Sequence, residues 1–440
     1  MYKGKDRKTI LLFSELFPFG GQLDPENRWL KIAKLIPWDR LEFKYQSYFS
    51  DKGRPAKDGH LVIGILLLKH MTCLSDDEIV KQVSENPYMQ AFCGLGNFVT
   101  APLLDSSSLS KIRKRLGKKY FDELERETYH VLIEQKIIKG RGMLVDATVF
   151  PEYIRYPTDP GLLNEAREWT VKKIKKLGGS LGVKVRTYCR KAHKEYLSFS
   201  KKKNRSRKAI RRIKKSLLQY LKRNINQMES LVEESKHLGI KLEQKVLDRF
   251  DVVRTVYKQQ LQMYSQKINR INDRIVSLHR PWTRPIVRGK LGNKAVEFGP
   301  KAAISYTDGF AFLEHLSSDN YSEATRVKDQ IKQFERFFAK KPKYVVGDKL
   351  YGNRENIKFV KEHEIRDAFE PLGRRNRNHD SFKRWRKQKQ RERNRIEGIF
   401  GHAKNHFGLN KIKYYIEDGP EIWVRLGLLS MNLKTAAKRI

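Results

Sequence analysis

Between Leu162 and His279 the chain is long, basic and almost free of turn signals, apart from Gly178, Gly179, Gly182 and Gly239. Apolar residues recur there every third or fourth position. One stripe runs Ile210, Ile213, Leu217, Leu221, Ile225, Met228, Leu231; a second runs Val246, Phe250, Val253, Tyr257, Leu261, Tyr264, Ile268, Ile271, Ile275, Leu278. That period is one face of an α-helix, and so long a stripe must be buried against something. The pattern predicts two long helices, parted near His237–Lys241 and folded back as an antiparallel hairpin.

Upstream, residues 1–50 show aromatic and proline positions without clear period, and their role is open. From 51 to 140 the pattern is helical. The run Leu61–Leu68 is apolar on every side but is followed by Lys69 and His70, so it reads as a buried helix and falls short of the ~20 residues that span a membrane. Ser75 with Glu78 is a capping box. Asp105 or Ser107 opens another helix, with Leu109, Ile112 and Leu116 at helical spacing and Lys111, Arg113, Lys114 and Arg115 between them. These basic residues are either a DNA-contacting surface or a solvated face. A small all-α domain results.

The segments flanking the basic region are of β type. Arg141–Phe150 is apolar and β-branched, bounded by glycine and Pro151, with Asp146 as its one acid. Lys294–Ser317 reads as two strands joined at Asp308-Gly309. A helix opened near Ser322, a buried strand ending at Asp348, a helix from about Asn353 to Glu362, a strand at Ile365–Pro371 and a basic loop then lead to a helix holding Glu397. Strand, two strands, helix, strand, helix, strand, helix is an α/β order with a mixed sheet flanked by helices. It is interrupted by a large helical insertion at about 157–280. The expected domains are therefore 51–140 and 141–440.

Charge narrows the partners. Lys+Arg number 92 against 50 Asp+Glu, a formal +42, and the bases cluster between Lys172 and Arg223. Such charge calls for a polyanion, nucleic acid first, and the basic half of the insertion reads as a phosphate-tracking surface. Nothing in the chain resembles a membrane span. The amino terminus lacks a secretory apolar region and cleavage site, so a cytoplasmic protein is expected. Cys73, Cys93 and Cys189 have neither zinc-ligand nor disulfide-framework spacing.

Three acids stand out against this background. Asp146 lies mid-strand among apolar residues, where an unpaired carboxylate costs several kcal/mol. Asp348 lies at the carboxyl end of a buried strand, a usual place for α/β sites. On the last of these helices, at about 100° per residue, Ile396, Phe400, Ala403 and Phe407 form the buried stripe. Arg393, Glu397 and Lys404 form the stripe beside it, and Gly401 on the same side leaves room for a strand to approach. Singly, each acid has an ordinary explanation: Asp348 a helix cap, Glu397 an ion pair with Arg393, Asp146 a carboxylate bonded to backbone. Together in a positive field, they suit two divalent cations about 4 Å apart at a phosphodiester. Oxygen donors favour Mg²⁺, or Mn²⁺ in its place.

These motifs resemble the DDE transposases of bacterial insertion sequences, of the group that includes the fourth and fifth insertion-sequence families. The resembling segments are "VDATVF" and "YPTD" (Tyr156–Asp159), "RGK" with "EFGPKAAIS", "VVGDKLYGNREN", "RNRIEGIFGHAK" and the helical stretch Pro55–Gly117. The resemblance implies an RNase H-like core with Asp146, Asp348 and Glu397 as the metal-binding and catalytic triad. It matches the family's glutamate signature at Arg393, Glu397 and Lys404, whereas the signature's tyrosine is replaced by Gln390. It implies two metal ions, cleavage at transposon ends, joining of the 3′-hydroxyl to target DNA, and a homodimer on double-stranded DNA. Arg393 and Lys404 would hold backbone phosphates there, and Lys111, Arg113 and Lys114 would bind DNA from the amino-terminal helices. A nuclease without strand transfer and a non-catalytic DNA-binding derivative are the competing readings.

Overall fold

In the amino-terminal stretch, helices Arg28–Ala33 (α1) and Trp38–Gln46 (α2) bury Trp29, Ile32, Leu41 and Tyr45. The structure, a computed structural model, describes residues 19, 23–50, 52–287, 296–370 and 380–440. The expected Arg288–Lys290 motif, the basic loop at 371–379 and residues 1–18 and 20–22 lie outside them. The chain divides into two units, Met1–Glu152 with Pro300–Ile440, and Tyr153–Gly299.

In the first unit, the Leu61–Leu68 run forms helix α3, Gly59–Thr72, buried on all sides as an all-round apolar helix must be. Among the described residues no helix is long and apolar enough to cross a membrane. Ser75 and Glu78 make the reciprocal capping bonds of α4 (Asp76–Glu85), and α5 follows at Pro87–Phe92. Helix α6, Ser106–Glu134, is opened by Asp105, which accepts from the Ser107 N–H. It breaks at Gly117, whose φ of 61° and ψ of 178° no other residue type adopts readily. Strand β1, Met143–Val149, comes next.

Among its described residues the second unit holds four helices where two were predicted: α7 (Asp159–Ser180), α8 (Cys189–Ser200), α9 (Arg207–His237) and α10 (Gln244–Ser265). The stripe on α9 is buried as its spacing requires, from Ile213 to Leu231, but Leu162, Leu163, Ala166 and Ile174 of α7 share that core. Helix α10 ends at Ser265, short of the predicted Leu278. Beyond it Ile268 of the predicted stripe is exposed, and Lys267 (φ 56°) and Asp273 (φ 50°) turn left-handed. Ile275 and Leu278 still enter the core, from irregular backbone. The apolar period there reports burial and not helix. Asp159 ties the unit together: Oδ2 accepts from Lys214 at 2.8 Å, and Oδ1 from Gln260 at 3.0 Å and Arg274 at 2.5 Å. Burial opposes its charge, but Lys214 and Arg274 hold it below the usual carboxylate range. Strands β2 (Pro285–Val287) and β3 (Val296–Phe298) pair with each other. The predicted strand through Glu297 is therefore split, and the main sheet resumes at Lys301.

Back in the first unit, β4 (Lys301–Thr307) and β5 (Phe310–Ser317) form the hairpin, with Asp308 and Gly309 both at positive φ as a tight two-residue turn demands. A 3₁₀ turn, Glu323–Arg326, precedes α11 (Val327–Phe338). The remaining elements are β6 (Tyr344–Val346), α12 (Arg354–Glu362, capped by Asn353), β7 (Arg366–Asp367), α13 (Asp380–His406) and α14 (Gly419–Ala437). The sheet order is β5-β4-β1-β6-β7, with β1 antiparallel to β4 and parallel to β6. Met143, Val145 and Val345 pack against α11 and α12 on one face; Leu144, Val346 and Ala368 pack under Ile396 of α13 on the other. The helices of 51–140, expected as a separate domain, share one apolar core with the β4–β5 hairpin and α14.

Candidate active site

The site begins with register. Leu144 of β1 is paired with Val346 of the parallel strand β6. Two residues further along each chain come Asp146 and Asp348. A two-residue period returns each to the face of its predecessor, and neighbouring strands lie about 4.8 Å apart. The two aspartates thus leave the sheet side by side. Asp348 sits just past the strand in extended backbone, its Oδ1 accepting from the Leu350 N–H at 2.8 Å. Ile396 seats α13 on this same face, so Glu397 follows at its edge. Arg393, one turn earlier, places Nη1 3.3 Å from Asp146 Oδ2 and 3.6 Å from Glu397 Oε1. One guanidinium nitrogen therefore joins the first and third acids. Each acid also makes the ordinary contact that its position suggests: a cap, an i,i+4 ion pair, and for Asp146 Oδ1 a 2.8 Å bond from the Ala147 N–H.

Electrostatics adds a fourth acid that sequence reasoning missed. Burial pushes Asp146 up to about 6; Glu323 and then Asp348 add to the rise, against the Ala147 N–H and Arg393. Glu323 Oε1 accepts from Lys301 Nζ at 2.8 Å and Oε2 from the Tyr351 hydroxyl at 3.4 Å. Tyr351 is wholly buried, and its phenol is held well above its ordinary value by that burial and by Glu323, Asp146 and Asp348 together. The Asn356 amide donates to the carbonyls of Ala324 (2.9 Å) and Tyr351 (3.1 Å), tying the turn that bears Glu323 to the turn that Asp348 caps. In the sequence Glu323 reads only as a first-turn helix acid, favourable to any helix start.

Gln390, in place of the tyrosine of the resembling signature, has a local job. Its Nε2 donates to Gly347 O at 2.9 Å and to Ala368 O, fixing α13 against the loop that carries Asp348. Lys404 lies on the same side of α13, its Nζ 5.9 Å from the Phe150 ring. A Cβ at Gly401 would meet nothing within 4 Å, so that flank of the helix is open. In α6, Lys111 and Lys114 are exposed. Arg113 is not: it is 4% exposed, its guanidinium grips Asp76 at 3.0 and 2.6 Å and covers the Tyr414 ring at 4.0 Å. Its helical phase turns it into the core, and its charge is spent inside the protein. The expectation that Arg113 contacts DNA is corrected accordingly.

Among the described residues, no three His, Cys, Asp or Glu side chains stand close enough to hold a metal ion. The chemistry of the donors nevertheless fits a hard divalent cation: all are carboxylate oxygens, and the like charge crowded around Asp146 is what such a cation offsets. Arg393 carries part of that load here. Its Nε is buried with no acceptor.

Comparison with known proteins places these elements in a family. Residues 17–115 match a family model described as transposase domain (DUF772), and residues 345–434 match one described as transposase DDE domain. The second span takes in both Asp348 and Glu397. An uncharacterized protein, ORF8 in the nfe locus of Rhizobium meliloti, is 33% identical over 159 residues, which is 36% of this chain and 77% of that protein. No solved structure matches. The chain belongs to the DDE transposases.

Proposed function

We propose that the protein cleaves phosphodiesters at the ends of a mobile DNA element and joins the freed 3′-hydroxyl to target DNA, on an RNase H-like core. The observation that carries this reading is the parallel register that sets Asp146 beside Asp348 beneath the helix of Glu397. Asp146, Asp348 and Glu397 would hold two Mg²⁺ ions, or Mn²⁺. Bound there, the ions supply charge stabilisation to both the attacking and the leaving oxygen of an in-line displacement. Arg393 would take a phosphate oxygen and Lys404 would hold the backbone further along α13; such contacts set the position of the strand without reading it. Lys111 and Lys114 suit the duplex of the transposon ends. Both ends must be held together for joining, so a homodimer on double-stranded DNA is part of the proposal.

The test is a joining assay with purified protein, precleaved end duplex, supercoiled target and Mg²⁺. Joined product is expected, and the Asp146→Asn variant should lose it by on the order of 10³-fold while retaining end binding. Cleavage without joined product identifies a nuclease. An Asp146→Asn protein as active as the parent removes the catalytic reading altogether.

A further inference from the structure

We infer that the groove between α8 and α9 binds double-stranded DNA by its phosphate backbone, independent of sequence; the inference rests on the reading of this chain as an enzyme of DNA. Its first support is a charge imbalance too local to be a matter of solubility. From Lys172 to Arg223 there are 21 Lys+Arg and one acid, Glu195, whereas the rest of the chain holds 71 and 49. Nearly half of the formal excess of +42 lies in those 52 residues.

The single acid, half-buried, is held by hydroxyls of the neighbouring helix. Glu195 on α8 accepts from the Ser216 hydroxyl at 2.5 Å and the Tyr220 hydroxyl at 3.0 Å, both on α9. It acts as a clasp between the helices and neutralises no lysine. Glu195 and Ser216 of this clasp line one wall of a groove of about 840 Å³, rimmed by Lys191, Lys194, Lys202, Lys208 and Arg212, with Phe199 and Ile213 also in its lining. None of the five bases has a carboxylate partner among the described residues. Elsewhere buried or crowded bases are matched: Lys214 and Arg274 meet on Asp159, and Arg425 meets Glu125, Asp122 and Glu421.

Lys191 and Lys194 stand one turn apart on α8, and Lys208 and Arg212 one turn apart on α9, so the four charges form two short facing rows. Like charges so arranged repel one another unless a polyanion lies between them. Four of the five are lysines, compact charges on flexible stems that suit phosphate and lack the planar fork of arginine. The groove therefore fits a backbone and carries no code.

The experiment uses the full chain and a random-sequence duplex of about 40 base pairs without transposon ends, long enough for several phosphate contacts. Affinity is followed from about 50 to about 200 mM salt. Replacing Lys194, Lys202, Lys208 and Arg212 by Gln should flatten the slope of log K against log salt by roughly 3 to 4, at about 0.9 per lost phosphate contact. The pair Lys194→Gln/Lys208→Gln should flatten it by about half as much, so the prediction survives if the fourfold variant folds poorly. Neutralising Lys236, Lys241 and Lys245, exposed bases away from the groove, is the control and should change little. Unchanged slopes in the groove variants, or an equal loss in the control, overturn the inference. So does binding of the parent to phosphatidylserine vesicles but not to the duplex. Because binding is read without chemistry, an inactive enzyme with a normal groove response would count against the catalytic proposal alone.

Discussion

At the scale of the residue, Arg113 shows what a helical wheel decides and what it leaves open. It lies in a basic run with Lys111 and Lys114, but its phase on α6 carries it onto Asp76. Arg113→Ala leaves that acid, shared with Lys69 at 2.5 Å, short of its main partner. A loss of about 3 kcal/mol in denaturant stability is expected, the scale for breaking a buried pair. Lys111→Ala should change stability by under about 0.5 kcal/mol and weaken end binding instead. Glu314 offers a pH-dependent counterpart. Burial raises it to about 8, with Glu125 adding to the rise and the Ser305 hydroxyl and Arg425 opposing it. Between its ordinary value and about 8 the folded protein holds a proton that the unfolded chain has released, so stability falls as pH rises through that range. The carboxyl lines a 440 Å³ cavity that water can enter. The effect is therefore about 1 to 2 kcal/mol, and less than the shift alone implies. Urea midpoints at about pH 5 and about pH 8.5 should differ in the parent and differ less in Glu314→Gln, where the raised Asp146 still contributes.

Among elements, α13 has the most demanding task, since it must hold Glu397 and Arg393 over two strand ends. Ile396, Ala403 and Phe407 bury its face, but an apolar face can slide. Gln390 prevents that, with two donors on one amide reaching the carbonyls of Gly347 and Ala368. Gln390→Ala should lower the joining rate by roughly 10- to 100-fold, the scale set by small misplacements. It should also raise the Mg²⁺ concentration at half-maximal rate. Gln390→Glu keeps the shape but exchanges donors for acceptors facing carbonyls, and should be at least as damaging. A Gln390→Ala enzyme with parental rate and Mg²⁺ dependence would show that the helix is positioned by its apolar face alone. The element boundaries explain the misreadings elsewhere. Helix α9 was legible because its stripe is buried from Ile213 to Leu231; α10 was overextended because Ile275 and Leu278 continue the spacing from non-helical backbone.

For the whole molecule, the interruption after β1 is a folding question. The core of Tyr153–Gly299 draws on α7, α8, α9 and α10 and on Ile275 and Leu278, all from within that unit. The isolated fragment should therefore fold, giving a helical spectrum and a cooperative thermal transition; a featureless melt would show that it depends on the rest of the chain. The first unit joins Met1–Glu152 to Pro300–Ile440, so β1 must wait for β4 and β6, which are made more than 140 residues later.

The periodicity and charge of the chain were enough to set the α/β order, the inserted helices, the polyanionic partner and the three acids that stand out from their surroundings. These are local properties: an acid in an apolar strand, a glycine turn or a run of bases is visible without knowing what lies nearby. Glu323 beside Asp146, Arg113 turned onto Asp76, Gln390 clamping the Asp348 loop and the shared core of the first helices with α14 were not visible. Each depends on which distant segments meet, and an unremarkable side chain gains its consequence from a neighbour brought to it by strand register and helix packing.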